Sequence, residues 1–465
     1  MHFALNLVCL AGLVISFVWA APTPGQLQKR SSFKVERVRN PNFAGHNGPR
    51  QLLKAYRKYG IRPPQPLLDR LNKEEAARKA AGNDRAGRKG GSDNNHDDET
   101  AGATNAAASG ADFASLADAG AEEEDGLAGS IPSGSESAHA GSVANTPTAG
   151  DVEYLAPVTI GGQTLNLDFD TGSSDLWVFN TQMPQRQQAG HTLFDPAQSA
   201  TFQPLPGQTF QITYGDGSGV AGTVGTDTVT IGGATVAQQA VELARQVSSA
   251  FVQDTSSDGL LGLAFSALNT VRPDQQQTFL DNVKDDLAAP VFTADLRHGT
   301  AGTYEFGAVD ASKFAGALQV VPVDASQGFW QFTSATFAIG NGSVQPSAST
   351  SQAIADTGTT LLLANPNIVN AYYTGIPGAV DNEDIGGVTI PCDADLPDLQ
   401  LDVGGRMATI RGRDIMFEPV DDDNTCFGGL QPLESDLMIF GDIFFKSNFV
   451  VFDAGNNTLG FAAHA

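Results

Sequence analysis

From Tyr154 onward the chain is built of short apolar and threonine-rich runs: Tyr154 to Ile160, Leu165 to Phe169, Phe210 to Tyr214, Thr226 to Ile231 and Phe449 to Phe452. Gly, Pro, Asn or Asp separate them. Runs of this length with this punctuation predict strands, and Gly161-Gly162 and Gly232-Gly233 predict hairpin turns. The expected fold class is all-β. A body of about 315 residues normally divides into two lobes.

The first 150 residues have a different texture. Leu7 to Trp19 is an apolar run ending in Val18-Trp19-Ala20, which reads as a secretory signal and is short for a membrane span of about 20 residues. Ser31 to Lys79 mixes apolar residues with Lys and Arg, and Glu74 to Ala81 is predicted helical. Ala, Gly, Ser, Asp and Glu dominate Ala80 to Pro147, with too few large apolar residues to offset the entropy of ordering. The expected organisation is a signal peptide (1–20), a basic propeptide (21–89), an acidic disordered linker (90–140), an N-terminal lobe (141–320) and a C-terminal lobe (321–465). Secretion is expected ahead of vacuolar delivery, and Gly460 to Ala465 shows no lipid-anchor tail.

Charge sharpens these divisions. Residues 29–89 hold 17 Lys or Arg against 5 Asp or Glu, whereas 151–465 hold 36 acidic against 10 basic residues. A net charge of -25 excludes a chain-wide cationic footprint for nucleic acid. Cys9 leaves with the signal, so Cys392 and Cys426 are most simply one disulfide in an oxidising compartment, a free reactive thiol being the alternative. Such a loop would contribute roughly 3 to 4 kcal/mol in the chain-entropy model.

The body also repeats itself. Leu167-Asp168-Phe169-Asp170-Thr171-Gly172-Ser173 resembles Ala353-Ile354-Ala355-Asp356-Thr357-Gly358-Thr359. Each is followed at similar spacing by an apolar-apolar-Gly word, Leu260-Leu261-Gly262 and Ile439-Phe440-Gly441. Two homologous lobes follow as the expectation, each contributing one Asp.

At these words the chain resembles the pepsin-like aspartic proteases, and among them the fungal secreted enzymes of aspergillopepsin and penicillopepsin type, over nearly all of residues 150–465. Leu176-Trp177-Val178, Tyr214-Gly215-Asp216-Gly217-Ser218 and Asp258-Gly259-Leu260-Leu261-Gly262 stand in that family's order. The resemblance implies a bilobal acid protease fold of two β-barrel-like lobes with the cleft between them. It makes Asp170 and Asp356 the catalytic pair. Two carboxylates about 3 Å apart repel by roughly 5 kcal/mol at an effective dielectric near 20, about 4 pKa units, so one proton is shared across a wide acid range. The ionised partner takes a proton from water while the protonated one donates to the peptide carbonyl.

Further roles carry over as implications. Gly172 and Gly358 let the backbone approach the carboxylates, and the hydroxyls of Ser173 and Thr359 bond their outer oxygens. Tyr214, Gly215 and Asp216 form a flap over the substrate, Trp177 bonds the flap tyrosine, and Asp216 admits Lys beside the cleaved bond. Lys58 and Tyr59, in Arg57-Lys58-Tyr59-Gly60, resemble the element with which the family's propeptide plugs the site. Asn341 and Asn456 begin glycosylation sequons. Implied partners are protein and peptide substrates, the chain's own propeptide and pepstatin-like inhibitors, with a monomeric state and no metal or organic cofactor.

Rival readings remain. Asp168-Phe169-Asp170-Thr171 also fits a magnesium phosphatase with Asp168 as nucleophile, but the second copy has Ile354 there and βαβ texture is lacking. No Gly-x-Ser-x-Gly marks a serine hydrolase. A non-catalytic peptide- or glycan-binding protein on the same scaffold is the other alternative.

Overall fold

A computed structural model describes residues 48–74, 76, 141–148, 151, 153–213, 219–347, 351–420 and 424–465. The signal and linker expectations, and the tip 214–218, lie outside the described residues. Strands are the main regular element of the body and its helices are few and short, as its sequence texture predicts. Both hairpin turns form at the glycine pairs, with Ile160 opposite Gln163 and Ile231 opposite Ala234.

Alternating burial along Gly141–Pro147 and Tyr154–Ile160 sets one face of each strand on the core. Six strands, Tyr154–Ile160, Gln163–Asp170, Gly259–Gly262, Leu176–Val178, Ala234–Val247 and Gly219–Ile231, pair in that order. Thr159 opposite Thr230 then closes them into a barrel, which removes exposed edges. From its first strand the sheet runs on through Gly141–Pro147, Thr300–Phe306, Val291–Arg297, Asn448–Asp453, Thr458–Ala463 and Gln319–Pro322, joining the two halves of the chain. The C-terminal half adds a five-stranded sheet and two four-stranded sheets. Cys392 and Cys426 form a disulfide with Cα atoms 4.9 Å apart.

The repeat has a structural meaning. Gln163–Asp170 is flanked in parallel by Gly259–Gly262, with Asp170 opposite Gly262. Gln352–Ala355 is flanked in parallel by Leu437–Phe440, with Ala355 opposite Phe440. Each flanking strand then pairs antiparallel with a third, Leu176–Val178 or Leu362–Ala364. The apolar-apolar-Gly words are therefore the strands on which the two Asp-bearing loops rest. Leu261, Leu263, Ile439 and Phe440 are fully buried, which is why these strands read as unbroken apolar runs.

One element was not anticipated. Gly48–Lys58 is a helix, α1, followed by a second helical segment over 65–74. Leu52, Leu53, Ala55 and Tyr56 form its buried face, and with Leu67 they pack on Ile354, Leu361, Leu363, Phe427, Leu433 and Ile439 of the body. The helix stops at Gly60, whose φ of +62° suits a residue without Cβ. The Gly60 amide donates to Arg57 O at 3.1 Å and the Ile61 amide to Tyr56 O at 2.9 Å, the paired bonds of a Schellman cap. That cap holds Lys58 and Tyr59 at the helix end.

Candidate active site

Asp170 ends its strand and Asp356 follows Gln352–Ala355, so both lead tight turns that leave the apolar sheets behind. The turns brace each other. The Thr171 amide donates to Thr357 Oγ1 at 3.1 Å and the Thr357 amide to Thr171 Oγ1 at 2.9 Å. Each hydroxyl then donates back across the junction, Thr171 to Ala355 O at 2.8 Å and Thr357 to Phe169 O at 2.5 Å. All four groups are buried, so breaking one bond leaves an unsatisfied polar atom at about 1 to 3 kcal/mol. The threonines were not singled out from sequence. Their signal was present, since Thr occupies the same place in both copies.

Each carboxylate sits in a matching cradle. Asp170 Oδ1 accepts the Gly172 amide at 2.8 Å and Oδ2 accepts the Ser173 hydroxyl at 2.6 Å. Asp356 Oδ1 accepts the Gly358 amide at 3.0 Å and Oδ2 accepts the Thr359 hydroxyl. The glycines are required by proximity: a Cβ on Gly172 would fall 2.5 Å from Asp356 Oδ1, and one on Gly358 2.4 Å from Asp170 Oδ1.

Between the carboxylates lies the Lys58 ammonium, 2.6 Å from Asp170 Oδ1, 2.8 Å from Asp356 Oδ1 and 3.0 Å from Asp356 Oδ2. The Tyr59 hydroxyl donates to Asp356 Oδ2 at 2.5 Å. Residues 186 positions apart thus share one cation, at a spot where Asp170 is 2% and Asp356 0% exposed. Burial pushes the Asp170 carboxyl up, Lys58 opposing it and Asp356 adding to it. Burial pushes Asp356 the same way, but Lys58 and the hydrogen bonds of Asp170, Lys58 and Thr359 outweigh it and hold the group at about 2. Burial would lower the Lys58 ammonium, but the two aspartates raise it above its ordinary value. The pair is poised with its two members on opposite sides of the normal carboxyl range.

Tyr214, Gly215 and Asp216 lie outside the described residues, although the strands leading to them, Gln203–Thr213 and Gly219–Ile231, pair up to Thr213 opposite Gly219. Trp177 is buried against Phe179 and Phe251, and its Nε1 has no hydrogen-bond partner among the described residues. Asn341 and Asn456 are exposed in turns.

A two-lobed all-β body with two aspartates on braced, duplicated turns defines an aspartic hydrolase of the pepsin class. The sequence comparisons agree. Residues 153–464 match the eukaryotic aspartyl protease family, and the chain belongs to it. It is 51% identical to penicillopepsin-1 of Penicillium rubens over 327 residues, 70% of this chain and 81% of that one. Aspergillopepsin-1 of Aspergillus clavatus is 49% identical over 340 residues, 72% and 85% of the two chains. An aspergillopepsin A-like protein of Aspergillus fumigatus is 40% identical over 455 residues, 96% of each chain. The chain is accordingly an aspartic endopeptidase.

Proposed function

We propose that this endopeptidase is made as a latent precursor, is exported, and works in acid with Asp170 and Asp356 as its catalytic pair, cutting beside large hydrophobic residues and after Lys. The observation that carries the reading is the single ammonium bonded to both carboxylates within the braced, duplicated turns. Once Lys58 leaves, that space takes a water molecule and a peptide carbonyl instead. The ionised aspartate removes a proton from the water as its oxygen attacks the carbonyl carbon, and the protonated one donates to the carbonyl oxygen. Proton return to the amide nitrogen then breaks the C–N bond. The hydrogen bonds to the outer oxygens keep both carboxyls oriented throughout.

Latency follows from the same contact. Helix α1 buries its apolar face on the body and carries Lys58 and Tyr59 into the place a substrate would need. Arg88-Lys89 is the last dibasic site before Arg186, so a processing cut there leaves the acidic segment attached and final trimming falls to the enzyme itself or another protease. Among the described residues no helix is long and apolar enough to cross a membrane. Exposed Asn341 and Asn456 suit glycosylation on export.

The decisive experiment is activity against pH on a protein substrate, with and without a pepstatin-like inhibitor, for wild type and Asp356→Asn. A peak in acid that both perturbations abolish supports the reading; hydrolysis surviving both would refute it. Lys-site turnover unchanged in Asp216→Ala would remove the Lys part alone. N-terminal sequencing of protein from the medium tests export and the start of the mature chain.

A further inference from the structure

Next to the Asp170 turn lies a second buried carboxyl pair, one that the reaction does not use. The turn rests on the segment leaving strand Gly259–Gly262: the Leu263 amide donates to Asp170 O at 2.7 Å, the Ala264 amide to Ser173 O at 2.9 Å and the Gly262 amide to Asp175 O at 2.9 Å. A few residues on, Asn269 folds back onto it. Its single side-chain nitrogen, Nδ2, lies 3.2 Å from Ser174 O, 3.0 Å from Asp175 Oδ1 and 3.2 Å from Glu242 Oε1. Asp175 Oδ1 also accepts the Thr270 amide at 2.8 Å and the Thr270 hydroxyl at 3.1 Å. Asp175 is 2%, Glu242 1% and Asn269 2% exposed. Glu242 stands opposite Trp177 in the parallel pairing of their strands, so the pair adjoins the residues that follow the turn.

Two carboxylates gathered on one amide nitrogen, out of water, repel each other unless a cation or a proton joins them. Arg272 is the cation acting most strongly on Asp175, but its guanidinium donates to Asn269 O at 3.1 Å and to Val271 O at 2.7 Å. The charge acting most strongly on Glu242 is Asp175 itself. The two carboxyls are hydrogen-bonded to each other, and Glu242 Oε2 accepts from no donor among the described residues. Two acceptors can bond only through a proton, which places it on Glu242 and directs it to Asp175. Burial pushes both groups above the ordinary carboxyl range, and the Asp175 charge pushes Glu242 further. We propose that Asp175 and Glu242 share one proton and, with Asn269 as the positioning residue, hold the Asp170 turn in its working shape. Loss of that proton as pH rises slackens the turn and disables the enzyme, apart from any ionisation of Asp170 and Asp356. The sign follows from the raised Glu242 group: its stabilisation is complete below about 4 and is lost as pH climbs past the raised value.

The inference rests on Asp170 belonging to the catalytic pair, and the test separates the two. Glu242→Gln keeps a donor towards Asp175 that does not titrate, and Asp175→Asn supplies one from the other side. Uncut wild-type chain and both variants are melted between about pH 4 and about pH 8; each is also held at about pH 8, returned to acid and counted by titration with a pepstatin-like inhibitor. The variants should melt close to wild type in acid and increasingly above it as pH rises. Their active sites should survive the hold about tenfold longer, the equivalent of one pKa unit. Asn269→Ala, assayed in acid after maturation, should lower kcat about tenfold with KM within about twofold, since it disturbs the turn rather than the binding of peptide. Melting curves against pH that run parallel in wild type and both variants, or a wild-type kcat in Asn269→Ala, overturn the brace, while acid hydrolysis blocked by the inhibitor leaves the protease reading standing. If neither variant folds, infrared spectra of wild type decide: a protonated-carboxyl band that fades over the pH range in which stability is lost supports the pair, and its absence throughout overturns it. If wild type cuts no peptide in acid, both readings fall.

Discussion

Replacing Lys58 by Met keeps an unbranched apolar stem of similar length and removes the charge. Lys58 Nζ makes contacts of 2.6 Å and 2.8 Å to two different carboxylates, and its side chain is 9% exposed. At an effective dielectric near 20, each pair has about 6 kcal/mol of Coulomb attraction. Desolvation of three ions cancels much of this, and removing one member of a buried pair costs about 3 to 5 kcal/mol. The freed aspartates relieve part of that cost by taking up a proton, so the lower figure, about 3 kcal/mol, is the better one. It corresponds to roughly a hundredfold larger open fraction. The assay is binding of a fluorescent pepstatin-like inhibitor to uncut chain at about pH 6, with chain length checked by electrophoresis, alongside the initial rate on a hydrophobic quenched peptide. Lys58→Met should bind and cut about a hundredfold faster than wild type, and Lys58→Arg should stay much closer to latent. Access in Lys58→Met indistinguishable from wild type would show that apolar packing alone keeps the site shut.

Asp170→Asn should lose at least about a thousandfold in kcat, because the remaining carboxyl has no partner with which to divide acid and base roles, while melting stays cooperative. Thr357→Val, followed by thermal melting and steady-state kinetics, should destabilise by about 1 to 3 kcal/mol and lower kcat more than it raises KM, since it unpairs buried groups that orient the turns. The lowered Asp356 group stabilises the closed helix fully above its ordinary value near 4, and that contribution is lost as pH falls through about 2, so inhibitor access should open over that window. Asp254 behaves oppositely: burial and the Glu153 carboxylate raise it to about 7, so its contribution is present below about 4 and lost as pH rises through 7, and the melting temperature should decline over that range. Cys392→Ser with Cys426→Ser should cost about 3 to 4 kcal/mol in a melting experiment while the cut peptide bonds stay the same.

Much of this protein is legible in one dimension because the relevant physics is local. The short apolar run Tyr154–Ile160, the glycine turns after Ile160 and Ile231, and the apolar runs Leu260-Leu261 and Ile439-Phe440 each report the environment of their own side chains. Helix α1 is harder to read: Leu52, Leu53, Ala55 and Tyr56 have helical spacing and Gly60 has the place of a C-cap, but an 11-residue helix interspersed with Arg and Lys is marginal until its apolar face packs on the body. What no local pattern contains is which faces meet. The duplicated Asp-Thr-Gly turns suggested a pair, but only the folded chain brings Thr171 to Thr357, sets Lys58 between Asp170 and Asp356, and gathers Lys54, Glu153, Asp168 and Asp254 from four separate stretches. Those contacts depend on the sheet order and on which charges lose their water together, and burial shared by distant residues has no period along the sequence.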